Sequence, residues 1–399
     1  MSMELLAPAG NFEKLKYAVW YGADAVYCAF RSFSLRAAGG NFDEQQLQEA
    51  VDFCHQAGKK IYVAVNIYPT EEDLKALPAF LEFLESLRPD GMIIADLGIL
   101  RLAKRYAPSI PIHISTQANV TNYEAAMAYH ELGACRLVLA REATLEQIRS
   151  IGSKIPSSLE LECFVHGAMC ISYSGRCLLS AAMTDRSANR GACSHPCRWN
   201  YALMEEQRPG EYFPIQEDER GTYLLNSKDL CLMPYLKELE EAGVKSLKIE
   251  GRMKSFYYAA CTARAYRKAL DDLKAGKPFD ERLLEELKAV SHRDYTTGFF
   301  FGTPDADAQN PADSGYRRTT DVVAVADEQE GWLIQKNKFS VGEPLWILSP
   351  DQEPQKIVIS AMEDESGAPI ESAPHAQMRV RVPFSLPAHS ILRREHREK

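Results

Sequence analysis

Cys170, Cys177, Cys193 and Cys197 fall within one turn-rich stretch, ECFVHGAMCISYSGRCLLSAAMTDRSANRGACSHPCRW, and Cys231 follows downstream. A thiol standing alone in a sequence reads as a small core hydrophobe. Four crowded together among Gly, Ser, Asn, Arg and His read instead as ligands, because thiolates are the standard protein donors to zinc and to iron–sulfur clusters. Cys193 and Cys197 stand four apart, so one helical turn or tight loop can aim both at one point. The spacings lack the CxxC pairs of common zinc knuckles. An iron–sulfur centre is therefore the first reading, zinc or another structural metal the second, and free thiols the third. The expected ligands are Cys170, Cys177, Cys193 and Cys197, with Cys231 as the alternative to Cys197. Cys28, Cys54, Cys135, Cys163 and Cys261 have apolar neighbours on strand-like or helix-like segments and read as core.

The elements that must position these thiols follow from composition and pattern. The 399 residues are 46% hydrophobic and 25% charged, which suits a large buried core in two domains. The start, MELLAPAG, has neither the basic head nor the apolar run of a secretion signal. No run of about 18 apolar residues marks a membrane span. Ten cysteines without a secretion signal point to a reducing cytoplasm. The net charge of −9 argues against broad nonspecific nucleic-acid binding but leaves room for a local basic patch.

Short β-branched runs alternate with amphipathic segments through the first 270 or so residues. The expected strands are Glu4–Ala7, Ala25–Ala29, Lys60–Asn66, Gly91–Asp96, Pro111–Thr116, Arg136–Ala140, Leu159–His166 and Lys245–Glu250. Near-continuous apolar strands separated by helices imply a parallel sheet covered on both faces. Eight such units predict an α/β fold, a (β/α)8 TIM-like barrel spanning 1–300; a doubly wound open sheet competes, weakened by the absence of GxGxxG after the first strand. A long insertion (about 167–235) follows strand seven and carries the cysteines, on the face where barrel loops build function. Leu283–Val290 reads as a further helix. Residues 301–316 read as a linker and 317–399 as a small antiparallel β-barrel domain.

Polar residues near the C-terminal ends of the strands would ring one barrel mouth: Asn66, His113, Gln117, Arg141, Glu162, His166, Glu250 and Arg252. Glu162, His166, Glu250 and Arg252 are the expected catalytic groups. Arg252 and Lys254 suit a small dicarboxylic acid, since guanidinium pairs with carboxylate in bidentate fashion. Asn226, Ser227, Lys228 and Asp229 could position a bound group near the thiols, or cap a helix over Leu230–Glu241. Candidate RNA contacts are Arg186, Arg190, Arg198, Lys254, Arg264, Arg267, Lys268 and the tail RREHREK, with Tyr173, Trp199 and Tyr201 for stacking; a solvated charged face is the plainer reading of the tail.

Several motifs are long and specific: the segment Glu162–Cys170, then GRCLLS (Gly175–Ser180), NRGACSHPCRW (Asn189–Trp199), RPGEY (Arg208–Tyr212), NSKDL (Asn226–Leu230), SLKIEGRMKSFYY (Ser246–Tyr258) and SHRDYTTGF (Ser291–Phe299). With LAPAG, YGADAVY and KNKFSVGEPL, they make the chain resemble the collagenase-like U-32 peptidase family over nearly its whole length. Within the family the combination is similar to members that hydroxylate tRNA to 5-hydroxyuridine at the wobble position. That resemblance implies a 4Fe–4S cluster, prephenate as a required metabolite, the tRNA anticodon loop as partner, and an electron-donor protein. Two other functions stay open. A peptidase lacks HExxH and GxSxG here, and Cys163 with His166 is a poorly spaced dyad. A non-catalytic scaffold that carries a cluster or binds RNA is the third.

Overall fold

The computed structural model describes residues 3–34, 41–170, 172, 175, 177–199, 202–203, 213–214, 228–302 and 316–396. Seven strands come in the expected order: β1 (Glu4–Pro8), β2 (Ala25–Ala29), β3 (Lys60–Val65), β4 (Gly91–Ile94), β5 (Ile112–Ile114), β6 (Arg136–Val138) and β7 (Glu160–Ala168). Helices α1 (Phe12–Trp20), α2 (Glu44–Gln56), α3 (Glu71–Leu87), α4 (Leu97–Tyr106), α5 (Tyr123–Glu131) and α6 (Leu145–Gly152) connect them. Their starts are legible in chemistry. Asn11 accepts from the Lys14 amide, and Asp43, Thr70 and Thr144 form capping boxes with Gln46, Asp73 and Gln147.

The long insertion contains α7 (Leu179–Thr184), the paired short strands β8 (Ala202–Leu203) and β9 (Phe213–Pro214), and β10 (Asp229–Cys231), which runs antiparallel to β7. After α8 (Leu236–Glu241), strand β11 (Val244–Ile249) pairs in parallel with both β7 and β1 and closes the eight-stranded barrel. The chain therefore forms a TIM-like barrel. Asp229 and Leu230, which the alternative reading put at the start of a helix, are strand residues: their backbone finds partners on β7, and the helix begins only at Leu236. Helices α9 (Phe256–Lys274) and α10 (Arg282–Lys288) and strand β12 (Tyr295–Thr296), paired with β10, complete the domain.

The C-terminal strands are β13 (Thr320–Ala326), β14 (Trp332–Gln335), β15 (Phe339–Ser340), β16 (Pro344–Leu348), β17 (Gln355–Val358), β18 (Ser372–Ala373), β19 (Arg379–Arg381) and β20 (Ile391–Glu395). Six form an antiparallel sheet in the order β17-β16-β20-β13-β14-β19, with β15–β18 as a separate ribbon. Among the described residues no ladder joins β17 to β19, but Glu363, just past β17, exchanges two backbone hydrogen bonds with Arg381 of β19 and brings the two outer edges of the sheet together.

This sheet docks on α1, α9 and α10. The Tyr21 hydroxyl donates to the carbonyls of Leu348 (2.8 Å) and His389 (3.0 Å), and the Trp20 ring stacks on His389 at 3.5 Å. Arg264 donates to Ser349 and Gln352 carbonyls, and Arg393 pairs with Glu286 at 2.7 Å. Arg264 and the first tail arginine, both expected to meet RNA, thus hold the two domains together. Arg267 pairs with Asp24 and Asp271, Lys268 with Asp272, and Arg394 with Glu343.

Candidate active site at the barrel mouth

Inward-facing residues fill the barrel in two tiers. In the lower tier Arg136 reaches Glu4 (2.6 Å), Glu160 (2.7 Å) and Glu162 (3.3 Å), while Lys248 reaches Glu162 at 2.8 Å. Tyr62 and Ser246 hydroxyls donate to Glu4. Burial works against the charge on Glu162, yet Lys248 and Arg136 outweigh it and hold the carboxyl below its usual range. Glu162 has no exposed surface and both its oxygens are engaged. It therefore anchors the barrel interior and is not positioned to exchange protons with a substrate. His113 lies in the same tier against the Tyr62 ring; burial drives its pKa well below normal, so it stays neutral.

Above this tier is a cavity of about 160 Å³ whose wall includes Asn66, Ser115, Gln117, Arg141, Phe164, Lys248, Glu250 and Arg252, and the four thiols Cys170, Cys177, Cys193 and Cys197. A cavity of about 150 Å³ takes a benzene ring, so this one suits a single six-membered ring. Arg141 pairs with Glu250 at 3.0 Å and lies 3.9 Å over the Phe164 ring. The Lys248 ammonium sits 4.6 Å from the Tyr27 ring centre. Of the four expected catalytic residues, Glu250 and Arg252 line the cavity. Lys248 and Ser115 were missed, although strand alternation back from Glu250 puts Lys248 on the inner face.

The cysteine segment is pinned to the rim by specific contacts. Arg190 donates to the Tyr68 carbonyl and pairs with Asp73, both at 2.8 Å. Ser180, Thr184 and Ser194 hydrogen-bond one another, tying the residue after Cys193 to α7. Gly175 (φ +74°) sits so close to Gln117 that a Cβ there would lie 3.0 Å from the Gln117 Cβ.

Other expectations are corrected. Simple alternation would turn His166 inward with Glu162 and Phe164. A bulge between β7 and β11, where Lys248 pairs with Phe164 but Ile249 with His166, shifts the register. His166 instead packs among Tyr258, Tyr266 and Tyr295, does not line the cavity, and is held neutral by burial, which lowers its pKa to about 3. Cys231 lies opposite His166 on β10, buried near the Tyr266 hydroxyl and away from the other thiols; burial raises its pKa. It does not line the cavity that Cys197 lines.

Lys254 donates to the Ser291 carbonyl and lies over the Tyr316 ring, outside the cavity wall. Lys228 is not on that wall either, and Asn226, Ser227, Tyr173 and Tyr201 lie outside the described residues, as does the Arg198 side chain. Trp199 is 43% exposed, and Arg186 is exposed. Cys28, Cys54, Cys163 and Cys261 are buried as expected, with their thiol pKa values raised by desolvation; Cys28 is pushed up to about 12. Cys135 is half-buried and donates to the Ile112 carbonyl.

The donor chemistry of the mouth suits an iron–sulfide cluster, since its four thiols share one wall. As they stand, no three His, Cys, Asp or Glu side chains among the described residues are gathered closely enough to hold one metal ion. The thiols would have to converge further to grip a cluster. No helix among the described residues is long and apolar enough to cross a membrane.

Comparison with known proteins places these features in a lineage. Residues 10–310 match the model of peptidase family U32, and residues 318–393 match the family's C-terminal domain. The chain is 40% identical over 416 aligned positions to tRNA hydroxylation protein P of Escherichia coli (strain K12), spanning 93% of this chain and 91% of the relative. It is 38% identical over 380 positions to tRNA hydroxylation protein P1 of Bacillus subtilis (strain 168), spanning 93% and 89%. The 23S rRNA 5-hydroxycytidine C2501 synthase of Escherichia coli (strain K12) is 37% identical over 269 positions, spanning 67% of this chain and 39% of that protein.

Proposed function

The chain belongs to peptidase family U32, and we propose that within it this protein hydroxylates tRNA, contributing to 5-hydroxyuridine at the wobble position, with a 4Fe–4S cluster on the mouth thiols and prephenate as the small acid it requires. The observation that carries the reading is the sorting of cysteines. Cys170, Cys177, Cys193 and Cys197 all face one cavity at the barrel mouth, while Cys28, Cys54, Cys163, Cys231 and Cys261 are buried elsewhere. The names of the E. coli and B. subtilis relatives, and of the rRNA hydroxycytidine synthase, support RNA hydroxylation as the chemistry.

Cys170, Cys177, Cys193 and Cys197 would hold the cluster. Such a group supplies one-electron transfer when bound. The chain's own residues do the rest. Arg252 offers a guanidinium to a carboxylate of the acid. Glu250 holds Arg141 flat against Phe164 and so shapes one side of the pocket. A pyrimidine must leave its stack to reach a cavity at the barrel mouth, and exposed Trp199, two residues past Cys197, offers it an aromatic face. The oxygen donor and the electron carrier come from outside the chain.

A peptidase reading has little to work with. Cys163 and His166 are both buried, the thiol with a raised pKa and the imidazole with a lowered one, the reverse of an activated pair.

Deleting the gene and weighing digested tRNA nucleosides tests the function. Loss of 5-hydroxyuridine is expected; an unchanged level in a strain without a paralogue overturns the proposal. Protein purified without oxygen should carry about four iron and four sulfide per chain. Zinc, or no metal at all, refutes the cluster.

A further inference from the structure

We propose that Gln117 is a binding residue of the mouth, donating from its side-chain nitrogen to a carboxylate oxygen of the small acid; this rests on the reading of the site as an acid-binding cavity given above. Gln117 sits on the short 3-10 turn Thr116–Ala118 just past β5, is 4% exposed, and lines the cavity. Its oxygen accepts from the Asn66 amide at 2.7 Å and from the Ser115 hydroxyl at 3.1 Å. With the Asn66 amide turned to donate, the end of the Gln117 amide that faces it and Ser115 is the oxygen. The nitrogen, Nε2, is left buried with no hydrogen-bond partner among the described residues.

A buried donor without an acceptor is unusual in a well-packed protein and calls for a reason. A bound ligand is the reason that fits its place. The amide is held from three sides, by Asn66, Ser115 and the close approach of Gly175, so it cannot turn away to find another partner.

The chemistry of the wall selects the ligand group. Lys248 and Arg252 stand on the same wall as Gln117. All three present N–H groups. A carboxylate offers acceptors only and matches such a surface. The edge of a uracil alternates acceptors with an N–H, which needs an acceptor from the protein; the Gln117 oxygen is already engaged by Asn66 and Ser115, and the Glu250 carboxylate on the same wall by Arg141 and the Gly251 amide.

The test uses the holoprotein purified without oxygen, titrated calorimetrically with prephenate and separately with uridine 5′-monophosphate. Gln117→Leu removes the donor at similar volume, and Gln117→Glu replaces it with an acceptor. Both are expected to weaken prephenate binding by about tenfold or more, the glutamate variant more strongly, because a hydrogen bond to a charged group is lost. Gln117→Glu keeps an oxygen for Asn66 and Ser115, so its iron content stays at the parent value; Gln117→Leu orphans both donors and lowers the thermal midpoint, so it is titrated at a temperature where circular dichroism shows it folded. Prephenate affinities within twofold of the parent in a folded variant overturn the assignment of Gln117 while leaving the acid site standing. Loss of nucleotide binding with prephenate binding intact overturns the carboxylate and gives the donor to a base carbonyl. A parent protein that binds no prephenate overturns both this assignment and the reading beneath it.

Discussion

The two tiers of the barrel interior are built from the same strands and follow opposite rules. In the lower tier every charge is matched: Arg136 serves three carboxylates, and Glu162 is shared between Arg136 and Lys248. In the mouth, four thiols face open space and a glutamine donor has no acceptor. One step along a strand separates them, since Glu162 and Phe164 are successive inward positions on β7. Matching of charges marks what holds this barrel together, where the one polar gap among the described groups is the neutral His113 Nδ1; in the mouth the unmatched glutamine donor marks where a ligand completes the wall. Lys248 belongs to both, bonded downward to Glu162 and bordering the cavity above.

Substituting a mouth thiol should give the largest effect. Cys193→Ser is expected to cost most of the bound iron and to bring 5-hydroxyuridine in cellular tRNA below detection. Cys231→Ser should keep both, as judged by metal analysis and nucleoside mass spectrometry. Equal iron loss from the two would erase the distinction between rim and core cysteines.

Glu162→Ala attacks the lower tier. It leaves Arg136 and Lys248 with less counter-charge in a dry interior, and breaking such a pair costs about 3–5 kcal/mol. Urea unfolding should show it as a lower midpoint with an unchanged slope. A cost under about 1 kcal/mol would mean that the network is not the anchor described.

Acid should act on the tyrosine-lined pocket behind β7 that holds His166. His166 is neutral when folded, with a pKa near 3, but takes a proton near 6.5 when unfolded. The unfolded chain therefore binds more protons between those values, and stability falls as the pH drops from about 6.5 toward 3. The loss is at most about 5 kcal/mol, and His166→Gln should flatten that part of the stability curve. Glu162 adds a further decline below about 4.5, because its folded pKa is depressed and its pairing is lost on protonation.

Arg190→Ala should have the smallest effect on folding. The Arg190–Asp73 pair is partly exposed and worth under about 1 kcal/mol after screening. Its influence should appear instead as reduced iron loading, because Arg190 ties the cysteine segment to the rim. Unchanged iron would show that the serine and threonine bonds to α7 suffice.

Much of this was legible in the sequence. All eight barrel strands start within about two residues of the positions that apolar runs indicate, and the crowding of Cys170, Cys177, Cys193 and Cys197 marks the mouth correctly. What failed depends on long-range pairing. The displacement of His166 comes from a bulge against β11, and the exclusion of Cys231 comes from a strand that reverses along β7. Neither leaves a local mark in residue type. Glu162 misled because an inward carboxylate on β7 looks the same whether its partners are substrate or Arg136 and Lys248. Periodicity gave the C-terminal strands, but the bridge from Glu363 to Arg381 that links their two outer edges lies outside any apolar run and leaves no mark in residue type.

The stacking of Trp20 on His389 has a practical corollary. Trp20, Tyr21 and Tyr257 meet the β-sheet domain through a face that the sheet covers, and Val325, Leu348 and Ile391 continue the barrel's own core across the seam. A fragment ending near residue 316 would bare those aromatic rings to water and invite clumping. Anyone wishing to express the catalytic half alone must first redesign that flank, for these halves are welded and not hinged.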